Sequence, residues 1–140
     1  MLTMYPACFF KEESGYSVIF PDLNWLSTCG DTLSSSIEAA TDCLAGYLYI
    51  SQKTEEDIPL PSELSTISLD NIANELEISS EGAFINIISV DVEAYAKENF
   101  EKSVKKTLSI PAWLNKVATE QNINFSQVLQ EALLSKVKSK

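Results

Sequence analysis

Residues 102–140 carry the pattern that most restricts how this chain can fold. A short extended run, Val104-Lys105-Lys106-Thr107-Leu108-Ser109-Ile110, is closed by Pro111. Two helical stretches are expected after it, 112–121 and 125–137, separated by Asn122-Ile123-Asn124. Strand alternation puts Lys105, Thr107 and Ser109 on one face, with Leu108, Ile110 and the aliphatic stem of Lys106 on the other. Pro111 suits the first helical position, where its missing N–H would be unpaired anyway. Leu114, Val117 and Ala118 make one apolar stripe; Val128, Leu129, Ala132, Leu133 and Val137 make a second. Asn122 fits a left-handed cap, and Asn124 fits an N-cap with Gln127 three residues on. One strand and two short helices cannot bury both stripes by themselves.

Pairing the strand antiparallel with its copy in a second chain removes that difficulty. The two chains share a core of Leu108, Ile110, Leu129 and Leu133, and the paired strands display Lys105, Thr107 and Ser109 twice on one face. A two-stranded ribbon of this kind fits the DNA major groove. The whole segment resembles the ribbon–helix–helix fold of Arc- and MetJ-like repressors, including the proline after the strand and the polar cap before the second helix. The resemblance implies base contacts from Lys105, Thr107 and Ser109, and a phosphate held by the backbone N–H groups of Phe125 and Ser126.

Charge divides the chain at about the same place. Ten lysines and no arginine stand against 20 carboxylates, a net −10. Residues 102–140 hold seven lysines against Glu120 and Glu131, a balance of +5, whereas residues 1–101 hold Lys11, Lys53 and Lys97 against eighteen carboxylates, −15. Two domains are expected, 1–97 acidic and 98–140 basic, so a polyanion is repelled by the first and drawn to the second. No histidine is present. That removes the commonest general base and metal ligand, with every Ser-His or Cys-His nucleophile pair. No glycine-rich phosphate loop replaces them, and no cofactor or metal is expected. Cys8, Cys29 and Cys43 are odd in number and widely spaced, and read as small buried hydrophobes in a reducing cytoplasm. No apolar run is long enough to cross a membrane, and the start of the chain lacks the pattern of a signal peptide.

The acidic part reads as an antiparallel sheet with one packed helix. Residues 1–13 alternate as a first strand, with Tyr5, Ala7 and Phe9 opposite Met4, Cys8 and Phe10. Ser14-Gly15 is a turn, Tyr16 to Phe20 a second strand, and Trp25 to Cys29 a short third one. Gly30-Asp31-Thr32 opens a helix to about Ser51, with Thr32 as N-cap and Asp31 near its positive end. Leu33, Ile37, Ala40, Leu44 and Leu48 form its inner face. Residues 54–82 are expected to be a long, partly ordered connection. Residues 83–92 are nearly continuously apolar, which predicts a buried strand closing the sheet. A short helix or linker covers 93–101.

Tyr16-Ser17-Val18-Ile19-Phe20-Pro21-Asp22-Leu23, then Cys29-Gly30-Asp31-Thr32-Leu33, then Glu38-Ala39-Ala40, resembles the HicB antitoxin family. Its signature is an aromatic strand into Pro-Asp-Leu, followed by Gly-Asp-Thr opening a helix. Asn24-Trp25 stands here where Pro-Gly is usual, and Ser35 or Ser36 where a glutamate commonly follows. Ile58-Pro59-Leu60-Pro61-Ser62 is similar to the family's proline-marked link back into the sheet. The resemblance implies an α+β protein: a partial ribonuclease-H-like sheet with one helix, then a ribbon–helix–helix domain that dimerises and binds operator DNA. It also implies a partner, a small basic HicA-type toxin that cleaves messenger RNA; on this chain the expected contacts are Trp25 and Asp22.

Two other functions fit parts of the pattern. A ribbon–helix–helix repressor could use the acidic domain to sense a small ligand. The ribonuclease-H-like outline also raises a metal-dependent nuclease built on Asp22, Asp31, Glu38 and Asp42. Against the nuclease, Asp22 sits in a turn, Asp31 at a helix start, and Glu38 and Asp42 are an i, i+4 pair on an outer helix face. The expected activity is therefore non-enzymatic: neutralising a toxin and repressing the operon.

Overall fold

A computed structural model describes residues 1–138; Ser139 and Lys140, the last of the expected basic domain, lie outside the described residues. The chain divides into two compact units, Met1–Lys102 and Ser103–Lys140. The division falls after Lys102 and not at the 97/98 boundary expected from the charge pattern. The reason is packing: Phe100 stacks obliquely on Tyr49 and Tyr95, with ring centroids 5.3 and 5.6 Å away, and so stays with the first unit.

The first unit is built on strands β1 (Thr3–Lys11), β2 (Tyr16–Phe20) and β3 (Leu26–Gly30), helix α1 (Leu33–Lys53), helix α2 (Leu69–Leu76), strand β4 (Phe84–Val90) and helix α3 (Val92–Asn99). The four strands form one antiparallel sheet in the order β3-β2-β1-β4. Gly15 takes φ +78°, and a Cβ there would lie 1.8 Å from the Gly30 carbonyl oxygen. Only glycine lets the β1–β2 turn pass so close to the end of β3.

Helix α1 starts as its sequence directs. Thr32 Oγ1 accepts from Ser35 N–H at 3.0 Å, while Ser35 Oγ accepts from Thr32 N–H at 3.0 Å. A serine therefore completes the reciprocal cap in which a glutamate is usual. Ala40, Leu44 and Leu48 are buried against Tyr5, Ala7, Phe9, Val18, Phe20 and Ile88. Leu33, expected on that inner face, is 44% exposed, because it occupies the first helical turn before the stripe engages the sheet.

The second face of the sheet is covered too, which a sheet with one packed helix did not anticipate. Cys8, Phe10 and Ile19 are buried there with Ile72 and Ala73 of α2. The expected loose connection 54–82 thus contains a helix, N-capped by Ser68 Oγ on Asn71 N–H at 3.2 Å. It ends with Glu77 in the left-handed region at φ +58°, and Ile78 N–H reaches back to Ala73 O at 2.9 Å. Of the three cysteines only Cys8 is buried; Cys29 is exposed on β3, and Cys43 is half-buried, so just one behaves as the buried hydrophobe expected.

Strand β4 corrects another expectation. It lies at the sheet's edge, with Ile88 and Val90 buried but Asn86, Ile87 and Ser89 exposed. A long apolar run marked a strand, yet among the described residues no strand lies on its outer side. Helix α3, capped by Asp91 Oδ1 on Ala94 N–H at 3.1 Å, then buries Val92 and Ala96.

The second unit contains helices α4 (Ala112–Glu120) and α5 (Phe125–Lys138). Pro111 is the residue before α4, the N-cap and not the first helical position. Asn122 takes φ +57°, the left-handed cap expected of it. Asn124 Oδ1 accepts from Gln127 N–H at 3.1 Å, but the Gln127 amide turns onward to Glu131 at 3.2 Å instead of closing a capping box. Residues 103–110 form no strand in the single chain. A strand needs a neighbouring strand for its N–H and C=O groups, and none of the described residues pairs with this exposed segment.

Candidate partner-binding surfaces

In the second unit Ala118 is the one buried residue among those described, and Leu129 is half-buried. Leu108, Ile110, Phe125, Val128 and Leu133 are each about half exposed. The side chains read as a dimer core thus keep much of their apolar surface exposed in the single chain. Lys105, Thr107 and Ser109 are exposed on the unpaired segment, and Phe125 and Ser126 open α5. Their backbone N–H groups belong to the first helical turn, where donors lack intrahelical acceptors.

In the first unit the β2–β3 connection forms a corner from two successive turns: Leu23 N–H bonds to Phe20 O and Leu26 N–H to Leu23 O, both at 3.1 Å. The second turn places Asn24 at φ +55° and Trp25 at φ +59°. Both central residues are left-handed, as in the hairpin turn that usually takes Asn-Gly. Trp25 thus belongs to the turn and not to the third strand, which starts one residue later. Its indole is 40% exposed on this strained backbone. Asparagine tolerates that conformation; a bulky residue in it is unusual.

Asp22, expected as a partner contact, is bonded within the chain. Oδ2 accepts from Ser62 N–H at 2.8 Å and Oδ1 from Ser62 Oγ at 2.5 Å. The Tyr5 hydroxyl donates to Pro59 O, and Ile58 packs on the α1-side core. Together they strap residues 58–62 across the corner, so the proline-marked link crosses the sheet's end without joining it as a strand. Burial, then the Asp22 charge, pushes the Tyr5 phenol up from its ordinary pKa. Ser62 was invisible to sequence reasoning, since nothing in a lone serine after Pro61 points to a carboxylate forty residues earlier.

The four carboxylates of the nuclease reading do not converge. Asp22 is tied to Ser62, Asp42 Oδ1 accepts from the Tyr95 hydroxyl at 2.9 Å, and Asp31 and Glu38 are exposed. Among the described residues no three His, Cys, Asp or Glu side chains come together to hold a metal ion. Asp91 is held below the usual carboxylate range, first by Ala94 N–H and then by the Met1 amine, which its Oδ2 meets at 3.1 Å. No described helix is long and apolar enough to cross a membrane.

The first unit is thus an acidic sheet-and-helix body with an exposed, strained corner, and the second a basic helical unit with several half-exposed apolar side chains. A family model described as HicB_like antitoxin of bacterial toxin-antitoxin system matches residues 5–137. The chain belongs to that family, and is an antitoxin of a toxin–antitoxin system. A solved toxin–antitoxin complex from Streptococcus pneumoniae contains a similar chain, 30% identical, with TM-score 0.65 over 97% of this chain and 99% of that one. The crystal structure of the Burkholderia pseudomallei antitoxin HicB shares the fold, at 19% identity and TM-score 0.50 over 98% of each chain. Among curated proteins none matches the sequence.

Proposed function

We propose that the acidic unit neutralises a basic HicA-type toxin, while residues 103–138 pair with a second copy as a ribbon–helix–helix and repress the operon. The observation that carries the division of labour is the second unit's open core. Leu108, Ile110, Phe125, Val128 and Leu133 leave about half their surface in water, far more than a self-sufficient helical unit exposes. A second copy supplies the missing half, and the new strand pair satisfies the free backbone of 104–110. Lys105, Thr107 and Ser109 then face base edges, and the first N–H groups of α5 hold a phosphate.

Support for the toxin-binding role comes from family membership and from charge. Eighteen carboxylates against four lysines in residues 1–102 steer a cationic partner toward this unit, and apolar anchors supply most of the affinity. Trp25 is the anchor we assign at the β2–β3 corner, with Asp22 holding the strap that shapes it. The test is co-expression of the toxin encoded with this chain. A fragment ending at Lys102 keeps α3 and Phe100, so it should restore growth without repressing the operon. Rescue by residues 103–140 and not by this fragment would overturn the assignment.

A further inference from the structure

We infer that the outer edge of β4 is the docking line for an extended segment of the toxin, which adds there as a fifth strand. This deepens the toxin-binding reading above and rests on it.

The register decides which backbone groups face outward. Pro6 lies opposite Ile87, and proline has no N–H to exchange. The Pro6–Ile87 pair is therefore a non-hydrogen-bonded one, and Ile87 directs its N–H and C=O away from β1. Alternation extends the same orientation to Ile85 and Ser89, opposite Cys8 and Met4. Ile87 N–H is taken by its neighbour's side chain, Asn86 Oδ1, at 3.0 Å. Among the described residues nothing accepts from the outward N–H groups of Ile85 and Ser89.

The other edge of the sheet is treated differently. Helix α1 lies against β3, with Cys43 Sγ 3.9 Å from Ser27 O and Ser36 Oγ 3.2 Å from Gly30 O. Edge strands that stay free usually carry a lysine, a proline or a bulge to discourage pairing. From Phe84 to Val90 there is none of these: Phe84-Ile85-Asn86-Ile87-Ile88-Ser89-Val90 is uncharged and pairs with β1 without interruption. Ile87 and Met4, 39% and 52% exposed, leave apolar surface beside the open edge for the side chains of an added strand.

Charge selects the occupant. Glu81 precedes the strand, and Asp91 and Glu93 follow it. A second copy pairing antiparallel along this edge would bring two strongly acidic units together, which like charges oppose. A basic segment is instead drawn to the acidic unit as a whole, with Glu81 at the start of the strand; Asp91 and Glu93 beyond its end already meet the Met1 amine and Lys97. Strand addition of this kind draws affinity from main-chain hydrogen bonds, and the pockets for alternate side chains add specificity.

The experiment uses the full chain and the toxin encoded with it. Ser89→Pro deletes an outward N–H but leaves the β1–β4 hydrogen bonds intact, because proline is tolerated on an edge with its nitrogen facing solvent. The variant should melt within a few degrees of wild type and bind the toxin at least tenfold more weakly. Amide exchange on the wild-type complex gives an independent reading: the Ile85 and Ser89 amides should slow about a hundredfold on binding. If both amides stay fast in a complex that forms normally, strand addition is wrong while the toxin-binding reading stands. If Ser89→Pro instead halves the assembly mass and leaves toxin affinity unchanged, the edge pairs with a second copy and the proposal fails. A wild-type chain that does not bind the toxin at all overturns the reading on which the proposal rests.

Discussion

Two substitutions at Trp25 separate the cost of its backbone from the use of its side chain. At φ +59° the residue sits where an L side chain crowds its own carbonyl. That conformation costs about 1–2 kcal/mol for a residue such as tryptophan or alanine and almost nothing for glycine. Trp25→Ala removes the indole and keeps the cost; Trp25→Gly removes both. Glycine returns about 0.5–1 kcal/mol of the gain through its greater freedom in the unfolded chain. The glycine variant should therefore be the more stable of the two by about 0.5–1 kcal/mol, roughly 2–8 °C in Tm for a domain of about this size. With the indole 40% exposed, both variants lose partly buried contact in the free protein, and that loss cancels in the comparison. Toxin binding should fall by the same amount in both, about 2 kcal/mol or some thirtyfold if Trp25 is an anchor. The assays are thermal melts and a titration with the toxin. An alanine variant as stable as the glycine variant would refute the strain argument. Wild-type affinity in either variant would refute the anchor.

Leu108→Asp should leave the Met1–Lys102 unit folded while making the chain monomeric, because it places a carboxylate in the shared core at two symmetry-related positions. Light scattering that still reports a dimer would move the dimer contact elsewhere. Lys105→Ala or Thr107→Ala should cost about 1–3 kcal/mol per half-site contact and loosen base preference, whereas Lys138→Ala should weaken binding evenly over sequences. A mobility shift unchanged by the Lys105→Ala, Thr107→Ala pair would count against the ribbon. Cys29 should react with a thiol reagent at once and Cys8 only after unfolding, since burial, aided by the Asp22 charge, pushes the Cys8 thiol up to about 11. The folded chain holds that proton where the unfolded chain releases it, so this thiol's contribution to stability fades as pH rises from about 8.5 towards 11. A Cys8→Ala variant should show a shallower loss over that window in urea titrations.

Local chemistry was legible in the chain itself. Thr32, Asn122 and Asn124 mark helix ends because their short polar side chains, or their tolerance of the left-handed region, act within a few residues. The alternation of Tyr5, Ala7 and Phe9 and the stripe Ala40, Leu44, Leu48 disclosed the sheet, the helix and the face between them, since periodicity is a property of one element. The lysines after residue 101 disclosed a basic end to an acidic chain, because net charge needs no coordinates. Tertiary structure decided whatever depends on residues far apart. Helix α2 had its signals, Ser68 as cap and Leu69, Ile72 and Leu76 in register, but eight residues with a weak apolar pattern become a helix only when the Cys8–Phe10–Ile19 face needs covering. Ala83 to Val90 reads as a strand in any setting, yet whether it is central or at an edge depends on which strand lies beyond it. Asp22 looked like a free carboxylate until Ser62 was folded onto it. Trp25 looked like the start of a strand because aromatic residues favour strands, and the closure of the β2–β3 corner overrode that preference by forcing a left-handed backbone.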